Sequence, residues 1–247
     1  MGACCESPGA DLRPSDVAVA TGNGISKPTP GATGTTLEYF SPGYGRVDPL
    51  IQLLTHKKAD FRFKPVSFEE WGARKAAGDT GEFGGIPIVT KSGVSRQQTL
   101  ALLRQMGQEH GYYDATNWQE AGLIDMLCET YNDCFNAAAT IVVATPDDQK
   151  PAKTEEWRDG ILRKFLKMIE TQLEKNINNS KFVVGDKMSI ADFCLACLTF
   201  NILKNEAGPF QAACAPLLLE FPHYGAYAKR LQGELKEHLE ARPVCPF

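Results

Sequence analysis

From Asn117 to the C-terminus the apolar residues recur only at helical spacing, and no stretch alternates as a strand would. Ile124, Leu127, Cys128, Tyr131, Phe135 and Ala138 make one apolar face, and Trp157, Ile161, Phe165 and Ile169 make another. Pro146 and Pro151 separate these two predicted helices, because proline lacks the amide hydrogen that a helix interior needs. A third, strongly apolar helix opens at Ser189-Ile190-Ala191-Asp192 and runs through Phe193, Leu195, Leu198 and Ile202. Ser189 is placed as its N-cap, with Asp192 able to reach back to the Ser189 N–H in a capping box. This half of the chain is predicted to be all-helical.

The residues before it follow a different pattern. Thr36-Leu37-Glu38-Tyr39-Phe40 is predicted as a strand, and Val47, Leu50, Ile51 and Leu54 lie at helical spacing. Asp60–Lys64 alternates like a second strand, which Pro65 should end or confine to a sheet edge. Ile86-Pro87-Ile88-Val89 is a short strand, Ser92-Gly93 a turn, and Leu100, Leu103 and Met106 mark another helix. That order fits a small α/β domain with a mixed sheet. Three segments follow: an arm over 1–33, an α/β domain over 34–114 and a helical domain over 115–247. The arm holds no aromatic residue and few large apolar ones, so it is predicted to be disordered.

Composition narrows the functional classes. Lys and Arg are spread along a chain of net charge −4, which argues against a nucleic-acid binder. Neither a membrane-spanning run nor a secretory leader is seen, so a cytoplasmic location is expected. The eight cysteines are read as reduced thiols. Cys194-x-x-Cys197 lies in the apolar third helix and is read as core rather than as a redox pair. His56, His110, His223 and His238 share no metal-ligand spacing, and no metal is expected.

Val184-Gly185-Asp186 with Ser189-x-Ala191-Asp192 resembles the core helix start of the glutathione transferases. Leu37-Glu38-Tyr39-Phe40 followed by Gly45-Arg46-Val47-Asp48 resembles the first strand and helix start of their sigma-like, tyrosine-using members. Glu70-Trp71 with Lys75 resembles their glutathione-binding loop, Phe83–Ile88 their strand with a cis-proline, and Gln98-Thr99 their Gln-Ser helix start. Leu123–Met126 through Asn132-Asp133 resembles their first long helix. The resemblance covers roughly residues 35 to 247 in order. It implies a thioredoxin-like N-terminal domain, an all-helical C-terminal domain, glutathione as co-substrate and a homodimer.

The resemblance also assigns roles. Tyr39 is the expected hydroxyl donor to the glutathione sulfur. Ser41 and Tyr44 are backups, because the Ser41–Arg46 stretch is one residue longer than usual. Arg46, Trp71, Lys75, Ile86, Pro87, Gln98 and Thr99 are expected to bind glutathione, with Lys75 at its glycyl carboxylate and Thr99 at its γ-glutamyl end. Asp133, last of the Asp125, Glu129, Asp133 stripe, is expected at the glutathione amine bound by the other subunit. The chemistry is coherent. A free thiol has a pKa of ~8.5, and one charge-assisted hydrogen bond stabilises the thiolate enough to lower it substantially.

The expected function is conjugation of the thiolate to a small hydrophobic electrophile, with peroxidase or isomerase side activity also within the family's range. The acceptor is expected between the domains, near Tyr44, Tyr112 or Tyr113 and the tail ending in Phe247. A non-catalytic scaffold is the alternative. Met1-Gly2-Ala3-Cys4-Cys5 leaves two further readings open. Gly2 myristoylation with Cys4 and Cys5 palmitoylation would tether the enzyme to a membrane, or the arm is a leader with two incidental thiols.

Overall fold

A computed structural model describes residues 34–41, 45–176 and 181–245. β1 (Thr35–Phe40) leads through a 3-10 turn at Gly45–Val47 into α1 (Asp48–His56). β2 (Phe61–Val66), α2 (Phe68–Ala76), β3 (Ile88–Lys91), β4 (Val94–Gln97) and α3 (Thr99–His110) complete the first half. The strands lie in the order β2-β1-β3-β4. β1 and β2 run parallel, and β3 is antiparallel to both β1 and β4. The expected mixed sheet is therefore present.

Pro65 does not end β2. It sits inside the strand, opposite Tyr39, and is tolerated because β2 is a sheet edge. α2 is a helix where the sequence pattern suggested only a loop. Ser67 caps it, its Oγ accepting from the Glu70 N–H at 3.0 Å. Trp71 is the buried residue of α2, so no apolar stripe announces the helix in the sequence.

The second half consists of α4 (Trp118–Ala144), α5 (Lys150–Trp157), α6 (Arg163–Asn176), α7 (Ile190–Cys197), α8 (Gln211–Leu218), α9 (Pro222–Glu234) and α10 (Lys236–Ala241). A π-helical stretch, Arg158–Leu162, joins α5 to α6. The longer π turn moves the apolar face by one position. Leu162 is fully buried and Ile161 is 47% exposed, the reverse of the strict i+4 expectation.

Every residue of α7 is buried, as its apolar sequence requires. The Asp192 carboxylate accepts from the Ser189 N–H at 2.7 Å, the reach-back of the capping box, and from the Ser189 hydroxyl at 2.9 Å. It accepts as well from the Val183 N–H and the Tyr227 hydroxyl.

One continuous apolar core joins the two halves, from Leu37, Leu50 and Leu103 to Phe193, Leu198 and Tyr227. Gly107 permits a close approach between them. A Cβ there would stand 2.5 Å from Ile190 Cγ2, so only glycine lets α3 meet the start of α7.

Candidate glutathione site

Tyr39 alternates inward on β1 and is 9% exposed. The chain returns beneath its ring at Gly45, where a Cβ would lie 2.8 Å from the hydroxyl. Glycine at this position therefore lets the turn close. The next residue, Arg46, donates its N–H to the Tyr39 oxygen at 3.1 Å. An oxygen that accepts from a backbone N–H keeps its own proton free to donate. Burial pushes the Tyr39 pKa up, against the opposing pull of the Arg46 N–H and charge, so the phenol is protonated at neutral pH. The Arg46 guanidinium lies 5.8 Å from the Phe135 ring centre of α4.

Ser41, the first backup, is exposed just past the end of β1, where its N–H donates to Val66 O. Tyr44 lies outside the described residues, as do Gly2, Cys4, Cys5 and Phe247.

The Ile86–Pro87 bond is cis, and it leads directly into β3. Opposite it, the end of β4 brings Gln97, Gln98 and Thr99 to the start of α3. Gln98 has φ of 75°, the left-handed region a side chain seldom adopts. No side chain caps α3, so its first N–H groups are open to an anion. Gln97 was not expected from sequence. It is buried, its Oε1 accepts from the Phe83 N–H at 2.9 Å, and its Nε2 donates to Thr80 O and Gly85 O. It thereby ties the 80–85 loop to the strained helix start. An isolated glutamine inside a polar run carries no signal of this.

Trp71 is 5% exposed and packs with Val66 and Ile88, its ring edge-on to Phe40 and under the Arg74 guanidinium. The ring thus anchors α2 to the sheet. Arg74 is occupied by Glu38 and Asp79, whereas Lys75 is exposed in the last turn of α2 without an ion pair among the described residues.

The acidic stripe on α4 divides. Arg104 of α3 binds Asp125 and Glu129, each at 2.6 Å, and Tyr113 donates to Asp125. Asp133 alone stays exposed without an ion pair among the described residues. Tyr112 meets His56 at 2.6 Å within the first half, while Tyr113 reaches across to Asp125, so the hydroxyls of these two of the three expected acceptor-pocket tyrosines are engaged in packing. A cavity near the tail is lined by Asn201, Asn205, Arg242 and Val244.

Cys128, Cys134, Cys194, Cys197 and Cys214 are buried free thiols, and Cys194 and Cys197 lie in the core as read from the sequence. The fold assembles a potential ligand cluster that spacing did not show, Glu170, Glu174 and His223. Glu170 is already committed there, accepting from the His223 and Tyr224 N–H groups at the start of α9.

Comparison with known proteins agrees with this geometry. A family model for the glutathione S-transferase C-terminal domain matches residues 132–242. Glutathione S-transferase P from Pongo abelii is 30% identical over 207 residues, covering 81% of this chain and 88% of that protein. Glutathione S-transferase P 1 from Xenopus laevis is 29% identical over 221 residues, covering 86% and 97%. The solved structure of NaGST-2 superimposes with a TM-score of 0.74 at 26% identity, over 87% of this chain and 99% of that one. An α/β half with a cis-proline before β3, a helical half and this degree of likeness together place the chain in the glutathione S-transferase family.

Proposed function

We propose that this protein conjugates glutathione to small hydrophobic electrophiles, with Tyr39 as the donor that holds the sulfur as thiolate. The observation that carries this is the state of the Tyr39 hydroxyl: protonated, oriented by the Arg46 N–H and left with its proton to give. Glutathione is held by the uncapped start of α3 with Gln98 and Thr99, by the backbone of Ile86 before the cis-proline, and by Lys75, with Arg46 and Trp71 supporting the walls. Its thiol proton leaves to solvent, and the thiolate attacks the electrophilic carbon of the acceptor, forming a C–S bond as the carbon's leaving group departs, halide in the case of an aryl halide. The same thiolate serves isomerisation of lipid-derived substrates, or reduction of their peroxides to alcohol and water as two glutathione thiols are oxidised to one disulfide.

Within the family, the sigma-like assignment rests on the Leu37–Phe40 and Gly45–Asp48 segments, while the relatives named above are P-type enzymes.

Tyr39→Phe tests the reading. The expected outcome is loss of most activity toward an aryl halide, with glutathione binding within a few-fold of the parent. Full activity in that variant, with loss in Ser41→Ala or Tyr44→Phe, would assign the donor elsewhere.

The working unit is a homodimer built along α4. Phe83, Trp118 and Met126 are large apolar side chains left exposed on this chain, which supports a covered face. Asp133 then reaches the amine of glutathione in the second subunit, and a monomer by light scattering at micromolar concentration refutes this. No helix among the described residues is long and apolar enough to cross a membrane. A cytoplasmic enzyme tethered through acylated Gly2, Cys4 and Cys5 is the accompanying proposal. Intact mass of the protein from eukaryotic cells, with no acyl group on Gly2, refutes it.

A further inference from the structure

The turn that orients Tyr39 is gripped from behind. Gly45 O accepts from Cys197 Sγ at 3.5 Å, and Cys197 accepts from the Tyr131 hydroxyl at 3.1 Å and from Asn201 Nδ2 at 3.3 Å. Asn201 Nδ2 also lies 2.8 Å from Asp48 Oδ2, at the first residue of α1. Asp48 is fully buried, and Gln52 Nε2 donates to the same oxygen at 2.8 Å. His238 of α10 donates Nε2–H to Asp48 Oδ1 at 2.7 Å, and Arg242 stands 3.7 Å from Oδ2 while donating to Asn201 Oδ1 and Phe200 O.

The grip therefore runs from the C-terminal helix to the residue before Arg46. Asn201 sits in a π-helical stretch, Leu198–Leu203, continuing α7. A π turn is uncommon and is frequently found at functional sites. Packing alone does not require a charge at Asp48. A buried carboxylate costs stability unless paired, and an apolar residue would fill the same space.

We propose that Asp48, Asn201 and His238 are positioning residues that clamp the Gly45–Arg46 turn and so aim the Tyr39 hydroxyl at the glutathione sulfur. The proposal rests on the function proposed above. Arg46 N–H points at the phenol only while the turn is held. If the turn slackens, the phenol oxygen loses the N–H that donates to it and wanders, and the thiolate loses its donor. The C-terminal helix thereby sets the acidity of bound glutathione without touching it.

Asp48→Asn and His238→Gln in the full chain test this. Ionisation of bound glutathione is followed by thiolate absorbance against pH, and binding of S-methylglutathione, which has no thiol proton, is measured in parallel. The expected result is an upward shift of the thiolate midpoint by roughly one unit, the scale of one lost hydrogen bond to the charged form. The rate at a pH below that midpoint should fall by up to about tenfold, with S-methylglutathione affinity within twofold. An unchanged midpoint in a folded variant overturns the proposal. So does an equal loss of S-methylglutathione affinity, which marks general loosening. Should Asp48→Asn not fold, His238→Gln, which retains a neutral donor, decides; if neither folds, the cluster is structural and the proposal is wrong. Failure of the unmutated protein to ionise glutathione is a separate result, refuting the proposed function itself.

Discussion

Two helices of this molecule carry a fully buried aspartate in their first turn, and the two are held in opposite ways. At the start of α7, Asp192 accepts from backbone N–H and hydroxyl groups, all neutral donors. At the start of α1, Asp48 faces His238 and Arg242 as well as two amides. Burial pushes the Asp192 pKa up, and neutral donors oppose it without reversing it. Burial also pushes Asp48 up, yet His238, Arg242 and Asn201 outweigh it and hold its carboxyl below the usual value. At Asp192 neutral donors shape the helix start without lowering the carboxyl, whereas at Asp48 the added His238 and Arg242 favour the charged form. The first arrangement builds the core, and the second carries a link from the C-terminus to the candidate site.

The largest expected effect separates the two by stability. Asp192→Ala orphans several buried neutral donors, each worth about 1 to 3 kcal/mol when left unsatisfied, and should cost about 3 kcal/mol or more, a large share of a typical domain's stability. Urea unfolding should show it as a much lower midpoint. A loss under about 1 kcal/mol would mean that water replaces the carboxylate and the α7 start is less closed than described.

A smaller effect appears in pH dependence, with opposite signs. The depressed Asp48 contributes stability above its unfolded pKa of ~3.9 and loses it as pH falls from there through its lower folded value. The raised Asp192 contributes fully below ~3.9 and loses that contribution as pH rises through its higher folded value. Asp48→Asn should therefore flatten the acid limb of the stability profile, and Asp192→Asn should steepen it. Thermal melts between pH 3 and 6 (a range set about the carboxylate reference value) check both; identical slopes in the two variants would erase the distinction.

The smallest effect belongs to a pair of surface bridges that also join the halves. Arg104 is raised in pKa by Asp125 and Glu129, overcoming desolvation, but these groups are substantially solvent-exposed. Arg104→Ala should cost about 1 kcal/mol or less, and less still in high salt. A cost comparable to that of Asp192→Ala would show that exposed charge can hold the halves together as firmly as buried hydrogen bonds.

The sequence by itself determined whatever depends on near neighbours. Ser189 and Asp192 are three residues apart, so their contact was legible as a capping box. Alternation set β1 and turned Tyr39 inward, Ser92-Gly93 closed the β3–β4 hairpin, and periodicity marked the regular elements described after Asn117 as helices. The cis bond at Ile86–Pro87 and the helix start at Gln98-Thr99 were legible only through family likeness, because proline alone does not specify the isomer.

Tertiary structure decided the rest. Asp48 meets Asn201 across 153 positions and His238 across 190, and no local pattern encodes contacts at such separation. Gln97 became a latch only when β4 faced the 80–85 loop. Leu162 rather than Ile161 entered the core because one π turn altered the helical phase, a choice made by the packing around α6 and invisible to a 3.6-residue period. A local motif is stabilised by atoms the chain already holds nearby, whereas a buried charge is tolerable only where the fold delivers its partners.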